Sequence, residues 1–143
     1  MSERTKAPSE NACPVTRRSK RGAIKVTADG FTFLNRADFP ADFAPDLPLG
    51  QAEFEAQSQV LTAAAVFSTP LTAAAWKTKP SWAIVAGADK IINPDLERWY
   101  YARAHSHTIV APGASHSVYE SRPKTVAAVI EEAAKHAEDG TSK

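Results

Sequence analysis

An aspartate and a histidine each follow an apolar segment that has the length and composition of a buried strand. Asp89 comes after residues 81–86, and His116 comes after residues 107–111. A carboxylate that accepts the Nδ1 proton of an imidazole fixes its tautomer and leaves Nε2 free to take a proton from a nucleophile. The two residue types therefore predict an acid–base pair, provided that the fold brings the two loops together.

The second half of the chain alternates such segments with helical patterns, over roughly the length of a βα unit. Strands are predicted at 81–86 and 107–111, each followed by a helix. Two consecutive βα units imply a right-handed crossover and two parallel strands. Because loops converge beyond the carboxyl ends of such strands, Asp89 and His116 are expected on the same rim of the sheet.

The helix after the first strand has a clear start signal. Asn93 and Pro94 predict its cap and its first residue. Its apolar face is predicted from the spacing of the large side chains, with the charged ones outside it. That face comprises Leu96, Trp99, Tyr100 and Ala104, and the residues outside it are Glu97 and Arg98.

Shorter elements are predicted before residue 79. Asp29 and Gly30 lie between β-forming residues and predict a two-residue hairpin turn. The composition and apolar spacing of residues 51–66 predict one helix. Thr69 followed by proline predicts a second, short helix that ends near Trp76.

Two motifs stand in a fixed order in the second half of the chain. The first runs through residues 80–89 with Pro94 after it, and the second runs through residues 112–116 with Pro123 after it. Together they resemble the closing portion of an α/β-hydrolase, over residues 79–134 and more weakly back to Asp29. The resemblance implies an α/β fold: an incomplete α/β-hydrolase with a partial lid and the last two βα units of a parallel sheet.

The resemblance also implies roles for the two residues. Asp89 matches the acid and His116 the base of a catalytic triad that acts on a small ester, with no cofactor and no metal. The family carries its nucleophile in a Gly-x-Ser-x-Gly elbow, and these 143 residues contain no such motif. Ser115 comes closest, but Ser117 stands where the second glycine should be, and a serine directly before the histidine is badly placed for attack.

Four segments are expected along the chain: a disordered basic arm at 1–23, a remnant of lid and linker at 24–78, the βαβα part of the core at 79–137 and a fraying tail at 138–143. The first 25 residues hold seven basic and two acidic side chains, with no aromatic residue. Such a run is more often a solvated tail than a nucleic-acid contact.

Composition excludes several classes of function. The net charge of +1 gives no field that would favour nucleic acid or an anionic membrane as partner. No secretory signal pattern or apolar stretch of about 20 residues occurs, and Cys13 is the only cysteine, so a cytoplasmic protein is expected. The histidines and the cysteine lack the spacing of a zinc site.

Two hypotheses follow from the sequence. The first is the carboxyl-terminal half of a serine esterase, inactive by itself because the nucleophile is missing. The second is a non-catalytic protein that pairs through an exposed sheet edge, with itself or with a separate amino-terminal half, since two parallel strands leave two open edges.

Overall fold

The computed structural model describes residues 24–141, and their side chains through Ala137, so the predicted basic arm lies outside the described residues. The strands in chain order are β1 (Ile24–Val26), β2 (Phe31–Leu34), β3 (Thr62–Ala63), β4 (Trp82–Ala86) and β5 (His107–Ala111). The α-helices are α1 (Phe39–Asp42), α2 (Leu49–Gln57), α3 (Pro94–Arg103), α4 (Val118–Ser121) and α5 (Pro123–Thr141), and 3-10 helices occur at Ala64–Phe67 and Ala75–Lys77.

The predicted hairpin is confirmed, with a longer turn than expected. β1 and β2 pair antiparallel, and the backbone N–H of Thr27 donates to the carbonyl of Phe31 at 2.7 Å. Three residues therefore form the loop instead of two. Gly30 closes it with φ +86°, a left-handed conformation that a side chain would disfavour.

The predicted helix over residues 51–66 is wrong in its second half, because α2 ends at Gln57. The side chain of Gln59 instead binds the backbone of Leu34 on β2, accepting its N–H at 2.8 Å and donating to its carbonyl at 3.0 Å. The chain then pairs with β2 as the short strand β3. Contacts distant in sequence thus override the helical composition of this segment.

The short helix predicted from Pro70 is also wrong. Only the 3-10 turn Ala75–Lys77 forms there. An isolated helix of two turns gains few hydrogen bonds for the residues it orders, so it needs tertiary contacts to persist. The tertiary contact in this segment is made by the side chain of Trp76, whose ring centroid lies 5.1 Å from the guanidinium of Arg103 on α3.

An apolar cluster holds α1 and α2 together. Phe39 on α1 and two alanines of α2, Ala52 and Ala56, are almost completely buried with Ala44 between the helices. Leu34, Phe43 and Leu47 pack against them and are partly buried. This cluster fixes α1 and α2 against the hairpin.

The two predicted core strands are confirmed as a parallel pair, in the register Trp82↔His107 through Ala86↔Ala111. α3 and α5 both pack against β4. The backbone of α5 continues through Thr141, past the residue where fraying was expected. No helix in residues 24–141 combines the length and apolarity that a membrane span requires.

Both edges of the parallel pair are open within the described part of the chain. The carbonyl of Ser81 and the amide of Gly87 bond to β5, and bonding groups alternate along a parallel strand. The backbone amides of Trp82, Ile84 and Ala86 therefore point away from β5. On β5 the alternation turns the amides of Thr108 and Val110 to the opposite edge, and the side chain of Val110 is exposed.

Candidate functional site

The fold brings Asp89 and His116 into direct contact. Nδ1 of His116 lies 2.7 Å from Oδ2 of Asp89. The Asp89 side chain is 1% exposed, whereas that of His116 is 28% exposed. The pair therefore has a buried carboxylate and an imidazole that reaches the surface, and Nε2 makes no hydrogen bond within residues 24–141.

The loop after β4 holds the Asp89 carboxylate in place. Oδ1 of Asp89 accepts the backbone N–H groups of Ile91 at 2.7 Å and Ile92 at 3.0 Å, and the Asp89 amide donates to the carbonyl of Ala86 at 3.1 Å. One carboxylate oxygen is thus bound by the backbone and the other by the imidazole. Local hydrogen bonds of this kind fix the orientation of the Asp89 side chain.

Close backbone packing brings the Asp89 loop against the His116 loop. The amide of Gly87 donates to the carbonyl of Ala111 at 3.0 Å, and the amide of Ala88 donates to that of Ala114 at 2.9 Å. A Cβ atom at position 87 would lie 3.1 Å from the Ala111 oxygen and 3.2 Å from Cα of Pro112. The close approach of the two loops therefore favours glycine at this position, since a Cβ atom would force the neighbouring backbone to shift by a few tenths of an ångström.

Asp46, which sequence reasoning missed, anchors the His116 loop to the segment between α1 and α2. Its carboxylate accepts the backbone N–H of Ser115 at 3.0 Å and also the hydroxyl of Ser115. Burial acts to raise the pKa of Asp46, but the hydrogen bonds from Ser115 act against it, and the pKa lies below its ordinary value. Asp46 lies 69 residues before its partner, and nothing in its sequence context indicates the contact.

The contacts of Ser115 indicate a structural role. Its side chain is buried and its hydroxyl donates to Asp46, so it is not directed at the imidazole of His116. This geometry agrees with the sequence argument against Ser115 as a nucleophile.

The exposed part of His116 borders an apolar groove between the hairpin, α2 and the start of α3. The groove encloses about 690 Å³. The ring centroids of Phe43 and His116 lie 4.6 Å apart. The backbone carbonyl of Phe43 accepts the amide of Ser117 at 3.3 Å. The apolar lining of the groove includes Phe33, Leu34, Phe39, Ile91 and Leu96.

The predicted apolar face of α3 is wrong at two positions, Glu97 and Tyr100. Sequence spacing left Glu97 outside the apolar face, but it is only 7% exposed, whereas Tyr100 is exposed. Oε2 of Glu97 accepts the backbone N–H of Ala86 at 3.1 Å. The other predicted face residues, Leu96, Trp99 and Ala104, are half-buried, as is Tyr101 one turn after Glu97.

Residues 24–137 contain no cluster of three or more histidine, cysteine, aspartate or glutamate side chains that could hold a metal ion.

A model of the alpha/beta hydrolase family matches residues 7–129. The chain therefore belongs to the alpha/beta hydrolase family, and its parallel pair with flanking helices is part of that fold. The match begins within the segment 1–23, further towards the amino terminus than the resemblance noted from the sequence. No curated protein and no solved structure matches the chain significantly.

Proposed function

We propose that Asp89 and His116 are the acid and the general base of a serine-type ester hydrolase that works by acyl transfer. The observation that carries this proposal is the 2.7 Å contact between Nδ1 of His116 and the buried Asp89 carboxylate, beside a groove. In this geometry Asp89 accepts a hydrogen bond from Nδ1–H, and Nε2 takes the proton of a serine hydroxyl as its oxygen attacks the ester carbonyl. The imidazole then returns that proton to the leaving alcohol.

The groove supports a small ester as the substrate. Aliphatic and aromatic side chains dominate its lining near His116, among them Phe43 and Leu96. Burial of apolar surface contributes about 25 cal/mol per Å² and would favour an uncharged acyl or alcohol group over a charged one. No cofactor is needed for this reaction.

The 143 residues are proposed to be inactive by themselves. They contain no Gly-x-Ser-x-Gly elbow. Of the two serines adjacent to His116 in sequence, Ser115 donates to Asp46 and Ser117 is completely buried. Loss of the nucleophile from a triad lowers the rate constant by about a million-fold. We infer that a separate amino-terminal segment of the hydrolase fold supplies the serine.

Hydrolysis of p-nitrophenyl acetate tests the inactivity of the chain. We expect the wild type and the His116→Ala variant to agree within about twofold, at the rate of an unspecific protein surface. Turnover by the wild type that disappears in His116→Ala would contradict this part of the proposal.

Complementation tests the catalytic roles. A segment with a Gly-x-Ser-x-Gly elbow, sought first by translating the DNA upstream in all three frames, is produced together with this chain. We expect ester hydrolysis that needs both segments and is lost in His116→Ala and in Asp89→Asn, while Asp95→Asn retains it. A complex that forms but hydrolyses the ester equally well without His116 would refute the proposed roles.

A second candidate function is non-catalytic association through a sheet edge. The outward amides of Thr108 and Val110, with exposed side chains on β5, favour it. Sedimentation would then show a self-associated species, or a complex with an amino-terminal half, that weakens in Thr108→Pro and persists in Thr108→Val. A monomer at all concentrations, with no complex, would eliminate this candidate.

A further inference from the structure

Glu97 occupies an unusual position for a carboxyl group. It projects from α3 into the region beneath the Asp89 loop and is 7% exposed. Its Oε2 accepts the amide of Ala86, one of the amides of β4 that point to the open edge of the sheet. Without this acceptor, a shielded N–H group at the end of a core strand would have no partner, at a cost of about 1–3 kcal/mol.

The peptide groups of Ala86 link Glu97 to the acid–base pair. The Ala86 amide is held by Glu97 at 3.1 Å, and the Ala86 carbonyl accepts the amide of Asp89 at 3.1 Å. Asp89 in turn binds His116 at 2.7 Å. A continuous series of hydrogen bonds and one residue of backbone thus connects a carboxyl group of α3 with the imidazole.

We propose that Glu97 is a positioning residue of the Asp89–His116 pair, which holds the Asp89 turn through its hydrogen bond with the Ala86 amide. The positioning role rests on the proposed function of the pair. The contacts exist without substrate, so they can be tested apart from catalysis.

The charge of Asp89 also couples the protonation of Glu97 to the site. Burial, and after it the negative charge of Asp89, raise the pKa of Glu97 to about 7. The Ala86 amide, His116 and Arg98 act in the opposite direction. Tyr101, on the same helix, has its own pKa raised by burial and by the charges of Glu97 and Asp89.

Two substitutions separate positioning from charge. Glu97→Gln keeps an oxygen that can accept the Ala86 amide, whereas Glu97→Leu keeps the approximate size and removes the acceptor. We expect Glu97→Leu to accelerate hydrogen exchange of the Ala86 and Asp89 amides by about tenfold or more and to broaden the low-field Nδ1 proton signal of His116. Glu97→Gln should change both by less than about threefold, and Glu132→Leu on the exposed face of α5 is the matched control.

A carbon-13 titration of the Glu97 carboxyl group tests the coupling in the folded wild type. We expect a midpoint near pH 7 that moves to lower pH in Asp89→Asn. An unchanged midpoint in Asp89→Asn would overturn the coupling, and unchanged amide exchange in a folded Glu97→Leu would overturn the positioning role. Should Glu97→Leu not fold, weak protection of the Ala86 amide in the wild type would overturn that role as well.

Discussion

The imidazole of His116 and the carboxylate of Asp89 lie 2.7 Å apart at the carboxyl ends of two adjacent parallel strands. Twenty-seven positions separate them in the chain. The sheet register aligns the two strand ends, because Ala86 faces Ala111. The close approach at Gly87 then brings the two loops together.

Asp89→Asn should weaken both the site and the fold. The amide side chain can accept the loop N–H groups through one oxygen, but it presents an NH₂ group or a neutral oxygen to His116. We expect loss of the low-field Nδ1 proton signal and a fall of about 1–3 kcal/mol in the free energy of unfolding, measured by urea denaturation. Asp95→Asn is the control, since its ion pair with Arg98 is exposed and contributes less than about 1 kcal/mol. Equal effects of the two substitutions would contradict the assignment.

Gly87→Ala should separate the two loops of the site. The new methyl group would lie 3.1 Å from the carbonyl oxygen of Ala111, so the backbone must shift. We expect a loss of about 1–3 kcal/mol in unfolding free energy and weaker protection of the Ala88 amide from hydrogen exchange. Gly50→Ala, on α2 with open space around its Cβ, should instead stabilise the chain by about 0.5–1 kcal/mol. Stabilisation by both substitutions would refute the close approach.

Glu97 should make stability fall between weakly acidic and neutral pH. In the unfolded chain it loses its proton near the ordinary pKa of 4.5, whereas in the folded chain it retains the proton up to about pH 7. The folded state binds more protons in this window, so the unfolding free energy falls as pH rises through it, by at most about 3 kcal/mol. Thermal melts at several pH values should show this slope in the wild type and a flatter profile in Glu97→Gln. A Glu97→Gln profile as steep as that of the wild type would be inconsistent with the buried carboxyl group.

Asp46 should make the free energy of unfolding rise with pH, in a lower pH range than the one in which Glu97 acts. Its folded pKa lies below the ordinary value of 3.8, so its contribution to stability is present above that pH and is lost as the pH falls through the folded pKa. Asp46→Asn should therefore be less stable than the wild type at about pH 5, and the difference should shrink towards about pH 2. Ser115→Ala, which removes one donor, should show the same trend with a smaller amplitude. A difference that grows on acidification would contradict this account of Asp46.

The sequence by itself determined the two core strands, the Asn93 cap of α3 and the placement of Asp89 and His116 on one rim. Each of these depends on local information: an apolar run of strand length, a cap followed by proline, and the handedness of a βα unit. The cap is present as expected, with the Asn93 side chain accepting the amide of Asp95. The same local signals carried the resemblance to the hydrolase family, which the family match confirmed.

Tertiary structure alone decided where α2 ends and which face of α3 is buried. The composition of residues 51–66 favours a helix, but α2 ends before Gln59. The two hydrogen bonds between the Gln59 side chain and the Leu34 backbone outweigh the small differences in helix propensity. Glu97 was expected to face solvent because a charged side chain is costly to bury. It lies inside because the Ala86 amide at an open sheet edge needs an acceptor, and that need arises only when the strand and the helix have packed together.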